Sequence, residues 1–104
     1  MGQYRIDFGS MEWEAPAADV RVKAYEQDKR KLRLVEFGKK FVEPDWCTKG
    51  HIGFILEGKM EIDFDGKPIV FGLGDGLFIP AGEKHKARVL TDTVKVILVE
   101  DMDE

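Results

Sequence analysis

The stretch GDGLFIPAGEKH (residues 74–85) holds a short apolar run between two turn signals and ends on a histidine. Its start belongs to the segment 72–76, whose alternating glycines predict a tight connection rather than regular structure. The run Leu77–Ile79 is typical of a short strand, and Pro-Ala-Gly at residues 80–82 ends it. The stretch therefore predicts a strand bounded by turns, with His85 just beyond the second turn.

Working outward from this stretch, apolar residues recur at every second position. Residues 20–24, 60–64 and 94–98 each place apolar side chains at alternate positions. Because successive side chains of a strand point to opposite faces, these patterns predict strands with at least one buried face. The run from His51 to Leu56 is more apolar on both faces and predicts a central strand.

Turn signals separate these runs. Glu57-Gly58 and Asp65-Gly66 predict hairpin turns, whereas residues 9–19 have mixed character and predict a loop or an irregular arm. No segment has the periodicity of an amphipathic helix. Roughly eight or nine short strands in 104 residues predict an all-β sandwich or barrel.

Length and charge limit the classes of partner. The 104 residues correspond to a single domain over residues 1–104. With 16 basic and 20 acidic residues the net charge is −4, which argues against a nucleic-acid partner. No apolar run approaches the ~20 residues that cross a bilayer, and residues 1–5 lack the apolar stretch of a signal peptide. We therefore expect a cytoplasmic protein without a membrane partner. The acidic residues 100–104 are expected to form a solvated end.

The stretch described first resembles the second motif of the cupin superfamily. That motif reads glycine, five residues, Pro-x-Gly, two residues, histidine, three residues and asparagine. Gly74, Pro80, Gly82 and His85 occupy its positions, and Val89 stands in place of the asparagine. The resemblance implies a double-stranded β-helix, which is a jelly-roll-like barrel.

The first cupin motif is matched by spacing. Counting back from Gly58, its glutamate slot falls on His51, and its two histidine slots fall on Cys47 and Asp45. Residues 45–51 (DWCTKGH) also resemble a cupin subgroup that has Asp-His-Trp-Cys followed by Lys-Gly-His, with Asp45 replacing a histidine. Under this resemblance the N-terminal arm spans about residues 1–19 and the barrel about residues 20–100.

The same residues predict a metal site on physical grounds. Asp45, Cys47 and His51 share parity, so on an extended chain they point to one face. A closed barrel can bring His85 to that face from a distant strand. We therefore expect Cys47, His51 and His85 as metal ligands, with Asp45 as a further ligand. The alternatives are a buried cysteine, core histidines, and a turn role for Asp45 after Pro44.

Sulfur, nitrogen and oxygen donors together indicate a divalent transition metal. Sulfur ligation disfavours Mg²⁺ and Ca²⁺, which prefer oxygen. Zn²⁺ is our first choice, at Zn–S ~2.3 Å and Zn–N ~2.0 Å, with Ni²⁺, Fe²⁺ and Cu²⁺ as alternatives.

Three functions agree with this interpretation. The first is a metal-dependent enzyme that acts on a small molecule in the barrel. The second is a non-catalytic module that binds a small ligand or uses its metal structurally, and the third is a metal-free barrel that pairs with a second copy. The resemblance to small cupins implies a homodimer. The familiar iron and manganese cupin enzymes use three histidines and a glutamate, a set that this chain lacks, so oxygenase chemistry is not favoured. The sequence names no catalytic residue.

Overall fold

The structure, a computed structural model, describes residues 4–101 and is built almost entirely of strands. In chain order these are β1 Glu14–Ala17, β2 Val20–Gln27, β3 Arg30–Gly38, β4 His51–Glu57, β5 Lys59–Asp63, β6 Pro68–Gly72, β7 Gly76–Ile79, β8 Lys86–Val89 and β9 Thr93–Asp101. One 3₁₀ turn covers Phe8–Ser10. None of the helical segments in this part of the chain has the length and apolar character needed to span a bilayer. The all-β prediction is confirmed.

The strands form two antiparallel sheets that face each other. The large sheet has the order β1-β2-β3-β9-β4-β7, and the small sheet has the order β6-β5-β8. Alternate side chains from both sheets point inward, as the period of two predicts. The buried core comprises Val20, Val35, Ile55, Met60, Ile62, Leu77, Ile79, Val94, Val96 and Leu98.

Strand β4 lies inside the large sheet, between β9 and β7, which confirms the prediction of a central strand. Its inner face carries His51 and Ile55, and Ile55 is fully buried. Its outer face carries Ile52 and Phe54, which remain 49% and 44% exposed. The apolar character on both faces therefore has two causes, a core on one side and an uncovered apolar surface on the other.

The segment predicted as a loop or irregular arm contains a strand. β1 pairs with β2 at Glu14 opposite Val22 and at Ala17 opposite Val20. All four residues of β1 are exposed, so the strand has no buried face and shows no alternating pattern. An edge strand also tolerates Pro16, because proline lacks the N–H that an inner strand would need. The prediction of a loop was wrong because β1 is defined only by its pairing with β2 at the sheet edge, and such pairing leaves no hydrophobic pattern in the sequence.

The two predicted hairpin turns differ. Asp65 and Gly66 both adopt positive φ, at 57° and 98°, and join the paired strands β5 and β6 as predicted. Gly58 instead carries the chain from β4 in the large sheet to β5 in the small sheet. A Cβ at this corner would lie 2.0 Å from the Thr93 carbonyl oxygen, so only glycine fits the close approach. The Glu57-Gly58 hairpin prediction was therefore wrong.

Packing between β4 and β9 predicts a stability difference between two glycines. In Gly53→Ala the added Cβ would lie 2.4 Å from the Ile97 carbonyl oxygen and 2.7 Å from Leu98 Cδ2. We expect this variant to lose about 1–3 kcal/mol of unfolding free energy, measured by urea denaturation. The control is Gly76→Ala, whose Cβ would meet nothing closer than 3.6 Å and should change stability by less than about 0.5 kcal/mol. Equal losses in both variants would contradict this packing.

Candidate metal centre

Cys47 and His85 lie opposite each other in an isolated antiparallel pair. The Cys47 N–H donates to the His85 carbonyl oxygen at 2.8 Å, and the His85 N–H donates to the Cys47 carbonyl oxygen at 2.9 Å. Residues paired directly in this way project their side chains to the same side. The side chains of Cys47 and His85, which are far apart in the sequence, therefore lie side by side, as barrel closure predicts.

His51 reaches the same place from the first position of β4. The register pairs Ile52 with Val99, which sets His51 opposite Glu100 on β9. His51 Nδ1 lies 2.7 Å from Glu100 Oε2. Since an ionised carboxylate can only accept, the imidazole N–H donates and the ring is fixed by this bond.

The three side chains form a compact donor group. One ligand atom from each of Cys47, His51 and His85 lies within 4.8 Å of the others. The Cys47 Sγ to His51 Nε2 distance is 3.9 Å. A tetrahedral Zn²⁺ with Zn–S ~2.3 Å and Zn–N ~2.0 Å separates sulfur from nitrogen by roughly 3.5 Å. The donor types and their spacing fit a transition-metal ion after a small side-chain adjustment.

Both imidazoles also have the orientation of metal ligands. His51 Nδ1–H donates to Glu100, and His85 Nδ1 lies 2.8 Å from the Glu83 carbonyl oxygen, to which it donates. Each ring therefore has a proton on Nδ1, and in its neutral form it would offer the Nε2 lone pair to a metal ion. Metal-bound histidines in proteins characteristically have this outer hydrogen bond. His85 is only 3% exposed, so its orientation is enforced by packing as well.

Glu100 is held between two donors. Its Oε2 accepts from His51 and, at 2.5 Å, from Arg33 Nη2. Burial alone raises the pKa of the Glu100 carboxyl, but the hydrogen bonds from His51 and Arg33 and their positive charges outweigh it. The net result is a pKa lowered from 4.5 to about 2. The carboxylate therefore stays ionised and holds the His51 ring in place.

The position of Glu100 corrects the expectation of a solvated acidic end. Glu100 is 9% exposed, whereas Asp101 is exposed and residues 102–104 lie outside the described part of the chain. The signal was present in the sequence, because Glu100 continues the phase of the buried positions 94, 96 and 98. Arg33 was missed in the same way, two positions before the buried Val35 on β3.

The structure does not place Asp45 with the other three predicted ligands. Asp45 is exposed and lies in a bend, between bridges at Val42–Arg88 and Cys47–His85. Because residues 43–46 face only residues 86 and 87, the chain bulges here and the assumed alternation breaks. Glu43 takes the inward position instead, and its Oε1 accepts from the Ala87 N–H at 3.0 Å.

A cavity of about 220 Å³ opens beside the donor group. Its polar lining includes Cys47, His51 and His85 together with Arg33 and Glu43. The remaining lining is mostly apolar, with Phe37, Phe41, Met60, Ile62, Leu77, Ile79, Ala87, Val96 and Leu98. A small molecule in this space would therefore contact the donor group and an apolar wall.

The low pKa of Glu100 predicts acid sensitivity of the metal-free protein. A carboxyl whose pKa falls from 4.5 to about 2 on folding stabilises the fold above pH 4.5. That contribution, on the order of 3 kcal/mol, should be lost as pH falls from 4.5 towards 2. The check is urea denaturation at several pH values in the presence of a chelator. Glu100→Gln should flatten the pH dependence in this window, whereas Glu61→Gln, at the more exposed pair with Arg88, should not. An unchanged slope in Glu100→Gln would contradict the assignment.

Comparison with known proteins agrees with this architecture. KdgF from Halomonas sp. superposes with a TM-score of 0.80 at 18% identity, with 92% of each chain covered. The polyketide cyclase RemF from Streptomyces resistomycificus gives 0.79 at 20% identity, covering 98% of this chain and 81% of that one. An RmlC-like cupin from Shewanella frigidimarina gives 0.78 at 17% identity, covering 99% and 94%. At these identities the likeness shows the fold alone. Curated protein sequences give no match.

The family model for the cupin domain matches residues 41–100. This span covers more than half of the chain and includes all three clustered donors. The matched region, the two facing antiparallel sheets and the structural neighbours agree with one another. The chain belongs to the cupin family.

Proposed function

We propose that this protein is a metal-binding cupin in which Cys47, His51 and His85 hold a divalent transition ion and the adjoining cavity receives a small molecule. The observation that carries the proposal is the orientation of the two imidazoles. Each gives its Nδ1–H to a protein acceptor, Glu100 or the Glu83 carbonyl, and His51 Nε2 lies 3.9 Å from Cys47 Sγ. A core histidine needs only one satisfied hydrogen bond and has no reason to lie within 4.8 Å of a thiol and a second imidazole.

The donor set favours Zn²⁺ over the other candidates. One sulfur and two nitrogens suit a borderline ion, and Zn²⁺ accepts this set in tetrahedral sites. Ni²⁺, Fe²⁺ and Cu²⁺ accept the same donors, and availability in the cell decides among ions of similar affinity. Three protein ligands leave a tetrahedral ion with one position for a water or a ligand atom.

The first function compatible with such a site is that of a metal-dependent enzyme. A bound ion of this type supplies Lewis acidity to a coordinated oxygen. The chain's own residues would shape the site around that ion. The apolar lining excludes water, and Glu100 fixes the orientation of His51. One structurally similar protein is described as a polyketide cyclase, so a similar fold carries an enzyme there, and nothing more specific follows for this chain.

Elemental analysis tests the proposed site. Untagged protein, dialysed against buffer with a trace of Zn²⁺, should retain about one ion per chain. The metal content of His85→Ala should fall to a small fraction of that value, because only two of the three donors remain to bind the ion. Asp45→Asn serves as the matched control, because its carboxylate is exposed and outside the donor group. It should keep the metal content of the wild type. Equal metal content in His85→Ala and wild type would defeat the proposal.

A second candidate is a non-catalytic module that functions as a homodimer. It is favoured by the apolar outer surface of the large sheet, where Ile52 lies beside Phe78 on β7 and Val99 on β9. Phe78 is 73% exposed and belongs to an edge strand, β7, which among the described strands pairs with β4 alone. A contiguous exposed apolar surface on neighbouring strands is typical of an interaction site, and a second copy would cover it with the same residues.

Sedimentation velocity tests the dimer. The wild type should sediment as a dimer at micromolar concentration, and Phe78→Lys should shift it to a monomer because a charge cannot be buried there unpaired. Val42→Lys is the control: Val42 is also exposed, at 64%, but it lies beside β8 on the small sheet. It should leave the dimer unchanged. A wild-type monomer at all concentrations would contradict this candidate.

A further inference from the structure

We propose that the cavity beside the donor group binds a small organic monocarboxylate, with Arg33 as its anchor. This inference rests on the proposed metal-binding function and supplies the chemical class of the small molecule. It is carried by an unused donor on Arg33, by the cation of Lys49, which is unpaired within residues 4–101, and by the size and lining of the space.

The Nε–H of Arg33 is a hydrogen-bond donor without an acceptor in the described part of the chain. The residue lies on β3 opposite Leu98, and its side chain lines the cavity. Nη2 donates to Glu100, but the buried Nε–H has no acceptor among residues 4–101. Buried polar groups in proteins nearly always have a partner, and a guanidinium is well matched to a carboxylate. Because the Nε atom is buried, an incoming carboxylate would become its acceptor after an adjustment of the Arg33 side chain, while Glu100 keeps Nη2.

A second cation beside the cavity favours an anionic ligand. Lys49 lines the space, is exposed, and makes no ion pair with any residue between 4 and 101. Arg33 is paired with Glu100, and Glu43 accepts from the Ala87 N–H. An anion in the cavity would therefore have Lys49 as a partner in addition to Arg33.

The size and lining of the cavity indicate an organic anion with a short apolar body. Its volume of about 220 Å³ is below the ~300–1,000 Å³ of pockets that hold drug-sized ligands. Most of the wall is aliphatic or aromatic, including Phe41, Met60 and Leu77. A fully hydrated inorganic anion would lose its solvation against such a wall, whereas a short carboxylic acid would bury its chain there.

The test uses butyrate as the probe, with 1-butanol as its uncharged counterpart and inorganic phosphate as the competing anion. Binding is followed in ¹H–¹⁵N NMR spectra of the full chain, with and without Zn²⁺, by the backbone amide resonances of the cavity residues in every variant and, where Arg33 is kept, by the Arg33 Nε–H resonance. Butyrate should shift these resonances saturably, and 1-butanol should not. If phosphate binds as tightly as butyrate, or if no probe shifts the resonances, the inference is overturned.

Two variants separate direct contact from an indirect effect. Arg33→Gln and Glu100→Gln both remove the Arg33–Glu100 ion pair, but only the first removes the Nε–H. Arg33→Gln should weaken butyrate binding by about tenfold or more, and Glu100→Gln should retain it. Arg33→Lys keeps a cation beside Glu100 without the Nε–H and should also bind weakly, which covers the case in which Arg33→Gln folds poorly. Equal weakening in Arg33→Gln and Glu100→Gln would show that Arg33 acts only through Glu100 and would defeat the inference.

Metal content of the same samples separates this inference from the function on which it rests. If wild-type protein fails to hold Zn²⁺ yet binds butyrate through Arg33, the metal proposal fails and the anion site stands. If Zn²⁺ binds at one per chain and butyrate does not bind, the anion site fails and the metal proposal stands.

Discussion

The register of β9 is the constraint on which the donor group and its hydrogen-bond partners depend. β9 pairs with β3 on one side and with β4 on the other, and each ladder runs without a break through the residues that face the cavity. This double pairing places Glu100 beside both His51 and Arg33. A shift by one residue would turn Glu100 outward and bring Val99 to the donor group. The polar network is therefore specified by the buried valines of β9, which fix that register through packing.

The sequence was informative about the donors because they are few and regularly spaced. The all-β class follows from the period of two. The even spacing between Cys47 and His51 predicted a common face for them, and the structure places both beside His85. Asp45 is also an even number of residues from Cys47 and His51. That parity argument assumes an extended chain, and the bulge at residues 43–46 interrupts the alternation of side chains. A bulge leaves no mark in a hydrophobic pattern, because it depends on which residues lie opposite each other on two strands. The ligand role of the clustered residues stays a prediction.

The outer partners of the donors were missed for a different reason. Arg33 and Glu100 are charged, and charged residues at the ends of strands are ordinarily solvated. Their burial follows from pairing with each other and with His51, which can be seen only when the strand neighbours are known. Long-range pairing is thus the information that a linear pattern lacks. Once β3, β4 and β9 are aligned, the same alternation that identified the core also identifies these two residues.

The place of β9 in the chain has a consequence for how the molecule assembles during synthesis. β9 follows the other eight described strands along the sequence, yet it lies between β3 and β4 in the large sheet. Until residues 93–101 have left the ribosome, β3 and β4 share no ladder and their apolar faces have no common neighbour. Folding that depends on such distant pairings is slow, because the loop must close before the contacts form. We therefore expect the nascent chain to stay accessible to chaperones until β9 emerges.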